Sequence, residues 1–296
     1  MYLQSIFVVA DLDLVKHILI KDFHTFPNRG HYFNEADDPL SANLFNIEDE
    51  QWKNLRNKFS PTFSSGKIKM MFPIVLDVAD KMIVTLDKES SNSGQLDIKD
   101  LLARFTTDVI GSVAFGIECN SLNDNTAKFY EMGTRNFSKP ASFFKRAFRN
   151  SYQSLARKLH MKMLPEKVAE FYLNITKETV QYREQHPEVK RNDFMNLLIE
   201  MKDSLTMNQI AAQSFIFYAG GFESSSTTMT YCLYELSLNQ ELQDKTRKSV
   251  RAVVEKHHGQ FTYEAVNEMH FVEQCVNGKM MMIYYFYEFN LKHYHF

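Results

Sequence analysis

The sequence predicts a mainly α protein with minor β, on three observations. Apolar residues recur at helical spacing through most of the 296 residues. Capping and breaking residues bracket those stretches. No internal repeat of fixed period appears, which argues against a solenoid. The hydrophobic share is 44%, enough for a globular core rather than a disordered chain.

The elements follow in order. Ile6-Phe7-Val8-Val9 reads as a short buried strand. Asp11 then caps a helix with Leu14, Val15, Ile18 and Leu19 on one face. Residues 23–48 are rich in Pro, Asn, Asp and Gly and read as a loop. A helix over Glu50–Phe59 is stopped by Pro61, and another runs from near Gly66 to about Asp87. Ser90 to Gly94 reads as a flexible surface turn. Leu96 to Phe115 is helical again, with Gly116 as its C-cap. Residues 125–160 are basic and aromatic with weak periodicity. Pro165 to about Gln185 is a helix, ending before His186-Pro187. Thr206 and Gln209 form a capping box for a long helix to about Leu238. Asn239 caps the next helix, which ends at Gly259, and Thr262 starts one more.

Composition narrows the function. A formal net charge of −2 gives no electrostatic reason to expect a nucleic-acid partner. The 25 Phe and 15 Met suit either a large aromatic core or an interior that encloses apolar ligands. Cys119, Cys232 and Cys275 lie far apart in no metal-ligand spacing, so each reads as a small buried residue with a free thiol. His257 and His258 are adjacent, point about 100° apart on a helix, and suit its last turn. No signal peptide is evident. No stretch reaches the roughly 20 uncharged residues of a membrane span.

Chemistry concentrates on the long helix. Two adjacent glycines, Gly220 and Gly221, each cost about 1 kcal/mol relative to Ala. Close helix packing, a kink, or approach of a flat ligand to the backbone would explain them. Apolar flanks such as Phe215, Ile216, Phe217, Met229 and Tyr231 predict a helix buried nearly all round. Glu223 inside it is then expected to be paired or functional. Five hydroxyls follow, from Ser224 to Thr228, and can bond back to carbonyls and open the helix. An acid beside an alcohol on such a helix makes a plausible proton relay. Farther upstream, Trp52 and Arg56 stand four apart, on one helix face. Their indole N–H and guanidinium can donate together to one carboxylate.

These motifs resemble the cytochrome P450 family. Gly220-Gly221-Phe222-Glu223-Ser224-Ser225 matches the family's Ala/Gly-Gly-x-Asp/Glu-Thr-Thr/Ser pattern, with Ser224 where Thr is usual. Trp52-Lys53-Asn54-Leu55-Arg56 is similar to its Trp-x-x-x-Arg motif. Phe105 to Cys119 and Ser225 to Leu236 resemble insect microsomal members of the xenobiotic-metabolising type, and the likeness runs from about Ser5 to Asn277. The resemblance implies a partial P450 fold and a heme-thiolate monooxygenase, an oxidoreductase acting on small lipophilic compounds. It implies Glu223 and Ser224 as catalytic proton donors and Gly220 and Gly221 as an oxygen-binding groove. It implies Trp52 and Arg56 on a heme propionate, with Phe215, Phe217 and Phe222 toward substrate. It further implies electrons from an NADPH-cytochrome reductase and association with the endoplasmic reticulum membrane.

By the same resemblance the chain is expected to be incomplete. The family's membrane anchor, Glu-x-x-Arg motif and heme-cysteine loop are not found in it. Gly278 and Met281 stand where the Glu and Arg are expected, and none of the three cysteines has the heme-loop context. Residues 1–277 are expected to form a partial P450 domain. Residues 278–296 are expected to be an unrelated aromatic-rich tail. Gly278-Lys279 can be encoded with the start of a splice donor, which suits translated intron. The alternative function is a non-catalytic product, truncated or from a pseudogene, or a ligand-binding remnant.

Overall fold

Capping side chains set where the helices begin. The computed structural model describes residues 7–138 and 142–278. Asp11 accepts from the Leu14 N–H at 2.8 Å and opens α1 (Leu12–Lys16), which widens into a π-helical turn over His17–Lys21. A long loop leads to α2 (Asp49–Phe59), and Pro61 tightens the chain into a 3₁₀ turn after it. Next come α3 (Ser65–Ser93) and α4 (Ile98–Ile110). A π-helical turn over Gly111–Phe115 extends α4 to Gly116, whose φ of +68° ends it. Three short helices follow: α5 (Lys128–Ser138), α6 (Phe143–Ser151) and α7 (Gln153–Lys158). Then come α8 (Glu166–Gln185) and α9 (Phe194–Glu200). The capping box of Thr206 and Gln209 forms in both directions and opens α10 (Met207–Leu238). Asn239 caps α11 (Gln240–Lys256) and Thr262 caps α12 (Tyr263–Asn267). Residues 270–278 are helical again.

The core is built where α10 lies along α4, the most extensive helix contact, with α8 beside them. Gly221 makes that approach possible. A Cβ there would sit 2.5 Å from Ile110 Cδ1. Aromatic edges fill the space between: Phe129 meets Tyr218 edge-on at 5.1 Å and Tyr172 at 5.4 Å.

Several local expectations are corrected. Residues 7–9 form no strand, and Phe7 is 92% exposed, because no other strand among the described residues offers them a ladder. The apolar face of α1 buries nothing. Ser90 to Ser93 are not a turn: α3 runs through them, and Gly94, with φ +63°, ends it. The long helix α10 is not buried all round. Its buried residues end at Ser226. The three cysteines are half-buried and form no disulfide, rather than being fully enclosed. His257 caps α11, and His258, with φ +56°, lies beyond it. Ile6 and the tail 279–296 lie outside the described residues.

Candidate functional site

Helical spacing brings part of the candidate site to one cavity, while Gly220, Gly221, Glu223 and Ser224 do not line it. On α2, Trp52 and Arg56 are one turn apart and line an apolar cavity of about 450 Å³. Phe59, Phe63 and Phe194 wall it, and α10 contributes Gln213, Ile216 and Phe217. The long loop before α2 supplies Leu44, Phe45 and Arg29. Arg29 lies with its guanidinium 4.6 Å from the Phe45 ring centre. Arg29, Trp52, Arg56 and Gln213 are thus the residues with polar side-chain groups around a largely apolar space. Such a rim suits an apolar ligand that carries carboxylates.

Sequence spacing pointed to Trp52 and Arg56 and missed Arg29 and Gln213. Arg29 sits in a loop without periodicity, so no local signal marks it. Gln213 is buried on α10, and its Oε1 accepts from the Leu44 N–H at 2.9 Å. A polar residue within the buried run from Ile210 to Phe215 was the one available sign.

The two glycines separate by side of the helix. Gly220 follows Ile216 and Phe217 by one turn, and a Cβ there would meet nothing within 4 Å. Gly221 faces α4, as close packing requires. Open space at Gly220 leaves backbone accessible; at Gly221 the room is already filled.

Glu223 and Ser224 do not bond to each other. Glu223 is not enclosed: its side chain is 45% exposed and pairs with Lys99 of α4 at 2.9 Å. Lys99 also donates to Thr227 at 2.6 Å and to the buried Ser226 at 3.1 Å, while Thr227 donates to Glu223 at 3.1 Å. Ser224 donates to the Gly220 carbonyl one turn back. That back-bond does not open α10, which is continuous to Leu238. Sequence gave no hint of Lys99, because its partners are 124 to 128 residues away.

Of the three phenylalanines, only Phe217 lines the cavity, stacked on Phe194 at 4.5 Å. Phe215 packs on Tyr172 at 5.1 Å and Phe222 stacks on Tyr218 at 5.5 Å, both buried in the core. None of the cysteines lines this cavity. Cys119 borders a separate one near Asp108, where burial and then the Asp108 charge push its thiol well up from the usual value. Among the described residues, no three His, Cys, Asp or Glu are grouped to hold a metal ion.

The cytochrome P450 family model matches residues 1–280. Probable cytochrome P450 6a20 of Drosophila melanogaster is 44% identical over 297 residues, covering 95% of this chain and 58% of that protein. Cytochrome P450 6a8 of the same fly is 45% identical over 288 residues, covering 93% of this chain and 57% of its own length. Cytochrome P450 6A1 of Musca domestica is 44% identical over 281 residues, with 91% and 55% covered. The chain therefore spans somewhat more than half the length of these relatives.

Proposed function

The chain belongs to the cytochrome P450 family, a family of heme monooxygenases, and on that premise we propose that its cavity holds the propionate edge of heme. The carrying observation is that Trp52, Arg56 and Arg29 converge on one apolar space beside α10. A flat apolar group with two carboxylates fits that donor set. When bound, heme supplies the iron chemistry that activates oxygen. The chain's own residues do the rest. Trp52 and Arg56 donate to a propionate, and Arg29 adds a second cation. Phe217 and Ile216 exclude water from the apolar face. Gly220, with open space beside its backbone, gives room for oxygen, and Gly221 lets α10 lie close to α4. Glu223 and the Ser224 hydroxyl deliver protons. For that Glu223 must leave Lys99, and Ser224 must turn from the Gly220 carbonyl.

The proposed substrate is a small lipophilic compound, with electrons from an NADPH-cytochrome reductase at the endoplasmic reticulum membrane. These assignments rest on kinship with the fly enzymes. Among the described residues, no helix is long and apolar enough to cross a membrane. A second reading, a ligand-binding product without turnover, is favoured by the bonding of Glu223 to Lys99 and of Ser224 to the Gly220 carbonyl rather than to each other.

Trp52 is the only tryptophan, so its fluorescence reports the cavity directly. Adding hemin to the purified chain should quench it saturably, and Arg56→Gln should weaken binding by about tenfold, as expected for one charge-assisted bond. A linear, unsaturable quench would sink the heme reading. Reduction under carbon monoxide separates the two functional readings: a thiolate-type Soret band would overturn the non-catalytic one.

A further inference from the structure

We infer that Gln213 is a positioning residue for the cationic rim of the cavity, acting through Leu44 and Phe45 on Arg29. The inference deepens the heme-holding reading and rests on it for the choice of ligand. Gln213 is 2% exposed, in the buried first half of α10. An amide has one accepting and one donating end. Leu44 presents an N–H, so the end that meets it is the oxygen, at 2.9 Å. The Nε2 end is left buried with no partner. A methionine of similar length would fill the space without that unpaired donor. What the amide contributes in return is one bond, across 169 residues, to the loop.

That bond has a consequence one residue along. Phe45 follows Leu44, and its ring lies 4.6 Å from the Arg29 guanidinium, while its carbonyl accepts from Arg29 at 3.5 Å. No carboxylate pairs with Arg29 among the described residues. Its guanidinium therefore takes its place from Phe45 and remains available to a ligand carboxylate. Gln213, Leu44, Phe45 and Arg29 form a series that ties the rim to the buried half of α10.

Protoporphyrin IX and its dimethyl ester are the probes, read by Trp52 fluorescence. They share the macrocycle and differ at the two propionates, ionised in one and methyl esters in the other. Gln213→Met should lower the diacid-to-diester affinity ratio by about tenfold, in line with one charge-assisted bond. Arg29→Gln should lower it as much, and the double variant no further, because the two act in series. Gln213→Glu keeps an oxygen for Leu44 but adds a charge to the cavity wall, so it serves as the control in the second readout alone. A ratio unmoved by Gln213→Met, or an additive double variant, overturns the inference. A second readout needs no porphyrin. The ring current of Phe45 should displace the Arg29 Nε–H resonance in the wild-type chain and in Gln213→Glu, and not in Gln213→Met. An Arg29 resonance unchanged in Gln213→Met also overturns it. If the wild-type chain binds neither porphyrin, the heme reading fails, and the Arg29 resonance still decides this one.

Discussion

The two halves of α10 both carry large apolar residues and differ in their surroundings. From Met207 to Phe222 the helix is capped at its start and buries Ile210, Ala211, Phe215, Tyr218 and Phe222. After Ser226 it buries nothing, and Tyr231, Leu233, Tyr234 and Leu238 are exposed. Tyr231, Leu233, Tyr234 and Leu238 are as large and apolar as the residues of the first half, so side-chain size and hydrophobicity alone do not tell which face finds a partner. The proposed chemistry lies on the boundary, from Gly220 to Thr227. Its backbone is fixed by the first half, while its polar side chains reach half-open space.

Substitutions in pairs test that contrast. Phe222→Ala should cost about 3–5 kcal/mol in chemical denaturation, as a buried aromatic does. Tyr231→Ala should stay within about 0.5 kcal/mol. Comparable losses at both positions would break the comparison. The glycines give a finer version. Gly221→Ala pushes a methyl onto Ile110 and should cost about 1–3 kcal/mol. Gly220→Ala meets open space and should stabilise by up to about 1 kcal/mol, the helix-propensity difference.

Alkaline pH tests the buried half separately. Burial pushes the Tyr218 phenol above its usual value near 10. The folded state then favours the neutral form, so this contribution is complete below the unfolded value. It is lost as pH rises from there toward the folded value. Each pH unit beyond the free phenol's value withdraws about 1.4 kcal/mol. Tyr218→Phe should therefore flatten the fall in stability between about pH 10 and 11 by roughly 1 kcal/mol. An unchanged slope in that variant would show that other groups carry it.

What the sequence made legible was local. Asp11, Thr206 with Gln209, Asn239 and Thr262 cap as their chemistry requires, because a cap needs only the next three residues. Trp52 and Arg56 share a face because four residues make a turn. Ser90 to Ser93 misled because serine favours turns only weakly, and the helix continues until Gly94 can adopt positive φ. Arg29 and Lys99 carry no local signal, and Gln213 shows only as a polar residue among apolar ones. Each is defined by a partner brought near only by folding. The burial of Glu223 was inferred from apolar neighbours along the chain, whereas exposure depends on what packs around α10.

The smallest expected effect bears on the boundary itself. Lys99 stands in the first turn of α4, where the helix dipole disfavours a positive charge. Its bonds to Glu223, Ser226 and Thr227 must offset that cost. Lys99 and Glu223 are 40% and 45% exposed, so water and salt screen their attraction. Lys99→Met should thus lose only about 0.5 kcal/mol, and less at high salt. Thr227 would still donate to Glu223, so the helix should stay intact while the carboxylate is freed from its cation. A loss above about 2 kcal/mol, insensitive to salt, would mean that the cluster behaves as a buried ion pair. The packed half of α10 would then extend one turn farther, and Glu223 would belong to it.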